Sequence, residues 1–181
     1  MTKVKKKSAG ERIYDPDGYW LRAACVCVRD GSDDILLVSS SAYTDRWIIP
    51  GGKIEANEQP EASAAREAKE EAGVVGRIGR FLGVFDNTER KHRTRVFVLH
   101  VEQMLESYED VGERKRAWFP FEEAMAALLT YKPMHCKYLT VFRQTQDGAG
   151  GENVGLAPKL LCDGVGAPEK VVVVPPLNVV P

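Results

Sequence analysis

Three carboxylates, Glu67, Glu70 and Glu71, stand at spacings i, i+3 and i+4 in the run Arg66-Glu67-Ala68-Lys69-Glu70-Glu71-Ala72-Gly73. On a helix these positions share one face. Like charges so arranged repel, and most glutamate-rich runs are only solvated faces. A hard divalent cation would offset the repulsion. Mg²⁺ takes oxygen ligands and keeps part of its water shell, which suits carboxylates clustered beside an open turn. Such a turn lies just upstream at Pro50-Gly51-Gly52, where missing Cβ atoms let the backbone approach a ligand closely.

The elements that must position these groups are legible nearby. Trp47-Ile48-Ile49 is a short strand that delivers the chain into the glycine turn. From Glu61 to Ala72 the residues are good helix formers. Asn57 is the expected N-cap, Pro60 falls in the first turn where its missing N–H costs nothing, and Gly73 suits a left-handed C-cap. The whole constellation has fixed spacing: Gly52, five residues, Glu58, seven residues, Arg66-Glu67, then Glu70-Glu71 and Gly73-Val74. It resembles the signature of the Nudix hydrolases, Gly-x5-Glu-x7-Arg-Glu-U-x-Glu-Glu-x-Gly-U with U aliphatic. Ala68 stands at the first U and departs from it.

The resemblance covers roughly residues 12–143 and implies an α/β fold, the Nudix α/β/α sandwich with a mixed sheet and a catalytic loop-helix-loop. With it, Mg²⁺ (Mn²⁺ as a substitute) is expected on Glu67, Glu71 and the Gly51 carbonyl, waters completing an octahedron. Glu70 is the expected general base, with Glu67 as the alternative, and Arg66 is expected to fix a carboxylate rotamer.

Substrate choice rests on cations. Arg90-Lys91-His92-Arg93 with Arg95 is one cluster, Arg114-Lys115-Arg116 another, and Arg12, Arg22 and Lys132 stand apart. The formal net charge is only −1, so positive charge has been gathered rather than spread. Converging Arg and Lys beside a metal would bind several phosphates. Residues 14–19, 22–25, 36–41, 45–52, 89–94, 112–116 and 131–133 resemble the diphosphoinositol polyphosphate phosphohydrolase subfamily. That implies removal of the β-phosphate of an inositol pyrophosphate, with diadenosine hexa- and pentaphosphate as further substrates. It also implies phosphate contacts from Arg12, Arg22, Ser40, Ser41, Arg90, Lys91, His92, Arg114 and Lys132. The chain departs from the subfamily at three substrate positions, carrying Trp20 and Leu21 for lysines and Ala42 for an arginine; Lys53 replaces a glycine of the turn. His100 is expected in the core and His135 on a helix surface.

Two rival readings stand beside this one. A dinucleoside polyphosphate or mRNA-cap hydrolase would need an aromatic platform from Trp20, Tyr43 or Phe85. A non-catalytic polyphosphate-binding module would not need all three glutamates.

At 181 residues, with 44% hydrophobic and 28% charged residues, the chain suits one globular domain, 12–145. A basic flexible tail is expected over 1–11 and a flexible tail over 146–181, rich in Gly, Pro and Val. No apolar run reaches membrane-spanning length, which argues against a membrane partner. Cys25, Cys27, Cys136 and Cys162 show no metal or disulfide spacing and suit a reducing compartment. The expectation is a cytoplasmic monomer, with the nucleus as the alternative site, acting on a small polyphosphorylated substrate.

Overall fold

The computed structural model describes residues 12–147. Four segments build one edge of the sheet: β1 (Trp20–Val28), β2 (Ile35–Ser39), β3 (Trp47–Ile48) and β4 (Gly51–Lys53). The helix α1 (Pro60–Ala72) follows, then the long strands β5 (Val74–Asn87) and β6 (His92–Met104), the short β7 (Arg116–Phe119), and the helices α2 (Phe121–Leu129) and α3 (Pro133–Asp147). The sheet has seven strands in the order β3-β2-β1-β6-β5, with β4 paired to β1 and β7 to β2. β1 and β6 run parallel while the other pairings are antiparallel, so the sheet is mixed, as expected.

One edge of β1 is shared. Its first half, Arg22 to Ala24, pairs with β4, and its last residues, Cys27 and Val28, pair with β2. The sheet therefore forks at β1, and the glycine turn sits in the fork. β5 shows register shifts between Val75 and Gly76, Ile78 and Phe81, and Phe81 and Gly83. Such bulges twist a strand and re-aim its side chains.

Two hydrophobic layers cover the sheet. On one face Ala24, Val26, Val28, Ile35, Leu37 and Ile49 pack with α2 and α3 through Leu128, Tyr138, Leu139 and Phe142. On the other, Ala23, Cys25, Cys27, Leu36 and Val38 pack with Ala64, Ala68 and Ala72 of α1. Those three alanines, a turn apart, are fully buried. Ala68 is thus one member of a small-residue seam that brings the helix backbone near the sheet. Cys25 behaves as a buried hydrophobe, its thiol pushed up to about 12 by desolvation. Cys162, the expected tail 1–11 and residues 148–181 of the expected tail 146–181 lie outside the described residues, while Gln146 and Asp147 belong to α3.

Several expectations need correction. The N-cap of α1 is Gln59, without a side-chain cap bond, and Pro60 opens the helix. Asn57 instead adopts φ 63° within the preceding turn, a conformation asparagine tolerates. His100 is not a core residue; its side chain is 32% exposed, with Nδ1 3.4 Å from Asp30. His135 is not a surface residue, as described below.

Candidate active site

The helix carrying the carboxylates is fixed at both ends. Pro60 pre-sets its first turn, and Gly73 caps it at φ 60° with its N–H on the Lys69 carbonyl. From that frame Glu67 and Glu71 point under the sheet, 4% and 5% exposed. Glu70, whose side chain is 23% exposed, stays nearer solvent. The glycine turn meets them directly. A Cβ on Gly52 would fall 2.2 to 2.4 Å from the Glu67 carboxyl atoms, so only glycine leaves room there. Gly51 donates its N–H to Glu71 Oε2 at 3.0 Å.

Arginines separate the like charges. Arg66 Nε and Nη2 grip Glu58 at 2.8 and 3.0 Å, and Nη1 reaches Glu67 at 3.0 Å and Glu70 at 3.2 Å. Its remaining donor capacity goes to the Lys53 carbonyl at 3.0 Å. These contacts raise the Arg66 pKa and hold the Glu58 carboxyl below the usual carboxylate range. Arg114 bonds Glu71 through Nη2 at 2.8 Å, Asp110 through Nε at 2.7 Å and the Ser39 carbonyl through Nη1 at 3.0 Å.

On the opposite face of β1 a cavity of about 210 Å³ opens. Arg12, Arg22, Arg90 and Lys132 line it, and no carboxylate does. The cations crowd one another: Lys132 has its pKa lowered by burial and then by Arg90 and Arg22. His92 falls to about 4 by desolvation, with Arg22, Arg90 and Lys132 adding to it. Trp20 holds two of the guanidiniums, with Arg12 Cζ 4.5 Å and Arg22 Cζ 5.0 Å from its ring centroid. Arg22 Nη2 also donates to the Gly51 carbonyl at 3.0 Å. Gly51 is therefore shared, lining the cavity with one side of its peptide and bonding the Glu71 carboxylate with the other.

Strand alternation decides which expected contacts reach this cavity. Trp20 and Arg22 face it, whereas Leu21 packs with the layer beneath α1. Arg12, Arg90, His92 and Lys132 are gathered there. Lys91 stands outside the lining, its Nζ 4.9 Å from the Tyr19 ring centroid. Ser40, Ser41 and Ala42 form a turn beyond β2, with Ser40 Oγ accepting the Ala42 N–H at 3.3 Å. Arg93 is taken up by Asp15, Asp17 and Asp86, and so ties the first turn to β5. Arg114 sits behind Glu71 rather than in the cavity.

His135 is the site residue that sequence reasoning missed. Its Nδ1 accepts the Ile49 N–H at 3.0 Å, its ring stacks on Tyr138, and it lines the cavity. Burial, with Lys132, Arg22 and His92, drives its pKa down to about 3. The imidazole is neutral, with its proton on Nε2.

The donor set fits a hard cation. Glu67, Glu71 and the Gly51 carbonyl supply oxygen atoms around one glycine turn, and Mg²⁺ needs few protein ligands because it retains water. Among the described residues, no three His, Cys, Asp or Glu side chains form a metal-binding group by themselves.

Comparison with known proteins decides the family. The NUDIX domain matches residues 19–139. The chain belongs to the Nudix hydrolase family. This Nudix chain is 48% identical over 160 residues to diphosphoinositol polyphosphate phosphohydrolase 3-alpha of Mus musculus, covering 86% of the chain and 97% of that protein. It is 52% identical over 141 residues to diphosphoinositol polyphosphate phosphohydrolase 3-beta of Homo sapiens, covering 75% and 85%. Among solved structures, a NUDIX hydrolase from Nitrosomonas europaea superposes with a TM-score of 0.57 at 19% identity, covering 69% of this Nudix chain and 88% of that one. The E. coli ORF135 protein gives 0.54 at 20% identity, covering 73% and 95%. These two likenesses concern the fold alone.

Proposed function

We propose that this chain hydrolyses the phosphoanhydride of diphosphoinositol polyphosphates, releasing the β-phosphate, with diadenosine hexa- and pentaphosphate as further substrates. One observation carries the reading: a cavity lined by four cations and no carboxylate meets a buried carboxylate pair at a single residue, Gly51. A densely phosphorylated anion suits the first, and bond cleavage suits the second. The names of relatives about half identical to the chain point the same way.

In this mechanism Arg12, Arg22, Arg90 and Lys132 take the phosphates, the arginines through forked pairs and the lysine as a point charge. His92 and His135 stay neutral, so they add hydrogen bonds without further charge. Glu67, Glu71 and the Gly51 carbonyl would hold Mg²⁺, which would neutralise pyrophosphate charge and lower the pKa of water. Glu70, nearer solvent than its neighbours, takes the proton from the attacking water. The water oxygen bonds to the β-phosphorus as the bond to the bridging oxygen breaks, and the leaving phosphate takes the electron pair. Arg66 keeps Glu67 and Glu70 in position for this. Positioning and electrostatics dominate such phosphoryl transfers.

The reading entails a monomer working in the cytoplasm or nucleus. No helix of the described residues is long and apolar enough to cross a membrane. A phosphate-release screen over diphosphoinositol pentakisphosphate, diadenosine hexaphosphate and capped RNA, with and without Mg²⁺, tests it. Turnover of capped RNA alone would overturn the substrate assignment, and release unaffected by a chelator would overturn the metal.

A further inference from the structure

Beside the cationic cavity lies a second feature that the hydrolytic machinery does not use. Arg46 inserts its guanidinium between two tyrosines, with Cζ 3.9 Å from the Tyr43 ring centroid and 4.3 Å from that of Tyr131. Its Nε is buried without a hydrogen-bond partner among the described residues, so the ring faces hold it there. Both tyrosines are conspicuously open, at 54% and 48% exposure. Each gives one face to the guanidinium and keeps surface for something else.

The two rings come from separate segments that border the cavity. Tyr43 and Arg46 lie in the connection from β2 to β3, and Tyr131 lies in the turn between α2 and α3. Tyr131 directly precedes Lys132, and Arg46 comes three residues before Ile49; Lys132 and Ile49 both line the cavity. At about 3.3 Å per extended residue, Arg46 lies within roughly 10 Å of the cavity lining along the chain. That reach suits one end of a chain of phosphates.

We propose that Tyr43 and Tyr131, clamped as a pair by Arg46, form a stacking platform for the purine of a nucleoside polyphosphate whose phosphate chain lies in the adjacent cavity. The inference rests on the polyphosphate reading of that cavity and adds a specificity element to it. Aromatic faces stack on any base and are indifferent to an inositol ring, which has no π system. Other aromatic residues serve less well. The Trp20 ring is already engaged by Arg12 and Arg22. Phe85 is 3% exposed and packs on Tyr138. Arg46 also rigidifies the platform before the ligand arrives, which lowers the ordering cost of binding.

The test is calorimetric titration of the full chain with adenosine 5′-tetraphosphate and with inorganic tetrapolyphosphate. Both carry four phosphates, and only one carries a base. The adenosine compound is expected to bind about tenfold more tightly. In Tyr43→Ala and Tyr131→Ala the ratio should fall towards one while tetrapolyphosphate affinity holds, which also reports an intact cavity. Tyr131→Phe should keep the ratio. Equal affinities in the native chain, or a ratio that survives the double alanine variant, would overturn the platform. If neither compound binds, the proposal falls together with the reading of the cavity. Phosphate release from diphosphoinositol pentakisphosphate, followed in parallel, separates failure of the platform from failure of the enzymatic assignment.

Discussion

Arg114 crosses the fold to Glu71, with Nη2 2.8 Å from Oε1 and both side chains less than a tenth exposed. Removing one member of such a pair strands a buried charge, which costs about 3–5 kcal/mol. Arg114→Met should therefore lower the unfolding free energy, read from denaturant titration, by that order. The double variant with Glu71→Gln should recover part of the loss, because the orphaned charge is gone. Equal stabilities for the single variant and the native chain would show that the pair contributes nothing.

Glu71→Gln alone addresses chemistry. The amide oxygen can still accept the Gly51 N–H and Arg114 keeps Asp110, but the buried ion pair is lost, so part of that stability cost is expected here too and activity is read where the variant is fully folded. Phosphate release at saturating Mg²⁺ should fall on the order of a hundredfold or more, as for loss of a metal-supporting group. Near-native turnover in this variant would remove Glu71 from the proposed metal set.

Gly52→Ala probes the approach of turn and helix. The new methyl would overlap the Glu67 carboxylate, which can swing away without moving backbone. We expect kcat to drop at least about tenfold, with a stability loss near 1 kcal/mol, in the ordinary range for point substitutions. A stability loss well beyond about 1 kcal/mol would mean that the backbone, rather than the carboxylate, had moved.

Acid should loosen the cavity wall. His135 has an ordinary value of 6.5 and a native one of about 3. Between these the unfolded chain binds a proton that the native chain refuses. Stability is therefore full above about 6.5 and declines as pH falls towards 3, by up to about 1.4 kcal/mol per pH unit for one proton. His135→Asn, which can still accept from Ile49 N–H, should show a shallower decline in urea titrations across this window. Coincident slopes would dismiss the assignment.

The subfamily resemblance implies a lysine where this chain has Trp20. The tryptophan contributes orientation in place of charge, by stacking on Arg12 and Arg22. Trp20→Ala should raise KM for an inositol pyrophosphate by about threefold to tenfold, the worth of one or two exposed cation–π contacts, with kcat little changed. Trp20→Lys should restore part of the affinity and make KM more sensitive to salt. A kcat effect larger than the KM effect in either variant would place Trp20 in the chemical step instead.

Much of the fold and the catalytic helix could be read from local patterns. Pro60, the alanine seam and Gly73 mark α1 by themselves, and Arg66 lies within one turn of the carboxylates it binds. What escaped depends on distant parts of the chain. Arg114 meets Glu71 across 43 residues and His135 meets Ile49 across 86, and neither pairing leaves a periodic trace. The Leu21 assignment missed an available signal, because an apolar residue between Trp20 and Arg22 on a strand belongs to the opposite face. Asn57 was mistaken for the cap because its residue type suits a cap and a left-handed turn equally well.

The alternation of β1 has an evolutionary consequence. Positions 20 and 22 face the cavity, while 21, 23 and 25 face the seat of the catalytic helix. Exchanges at the former can alter the cavity without disturbing the packing that seats the carboxylates. Insertion of a single residue ahead of the strand would swap the two sets and ruin both. Diversification in this lineage is thus free to proceed by substitution along that strand and barred from proceeding by changes in its length.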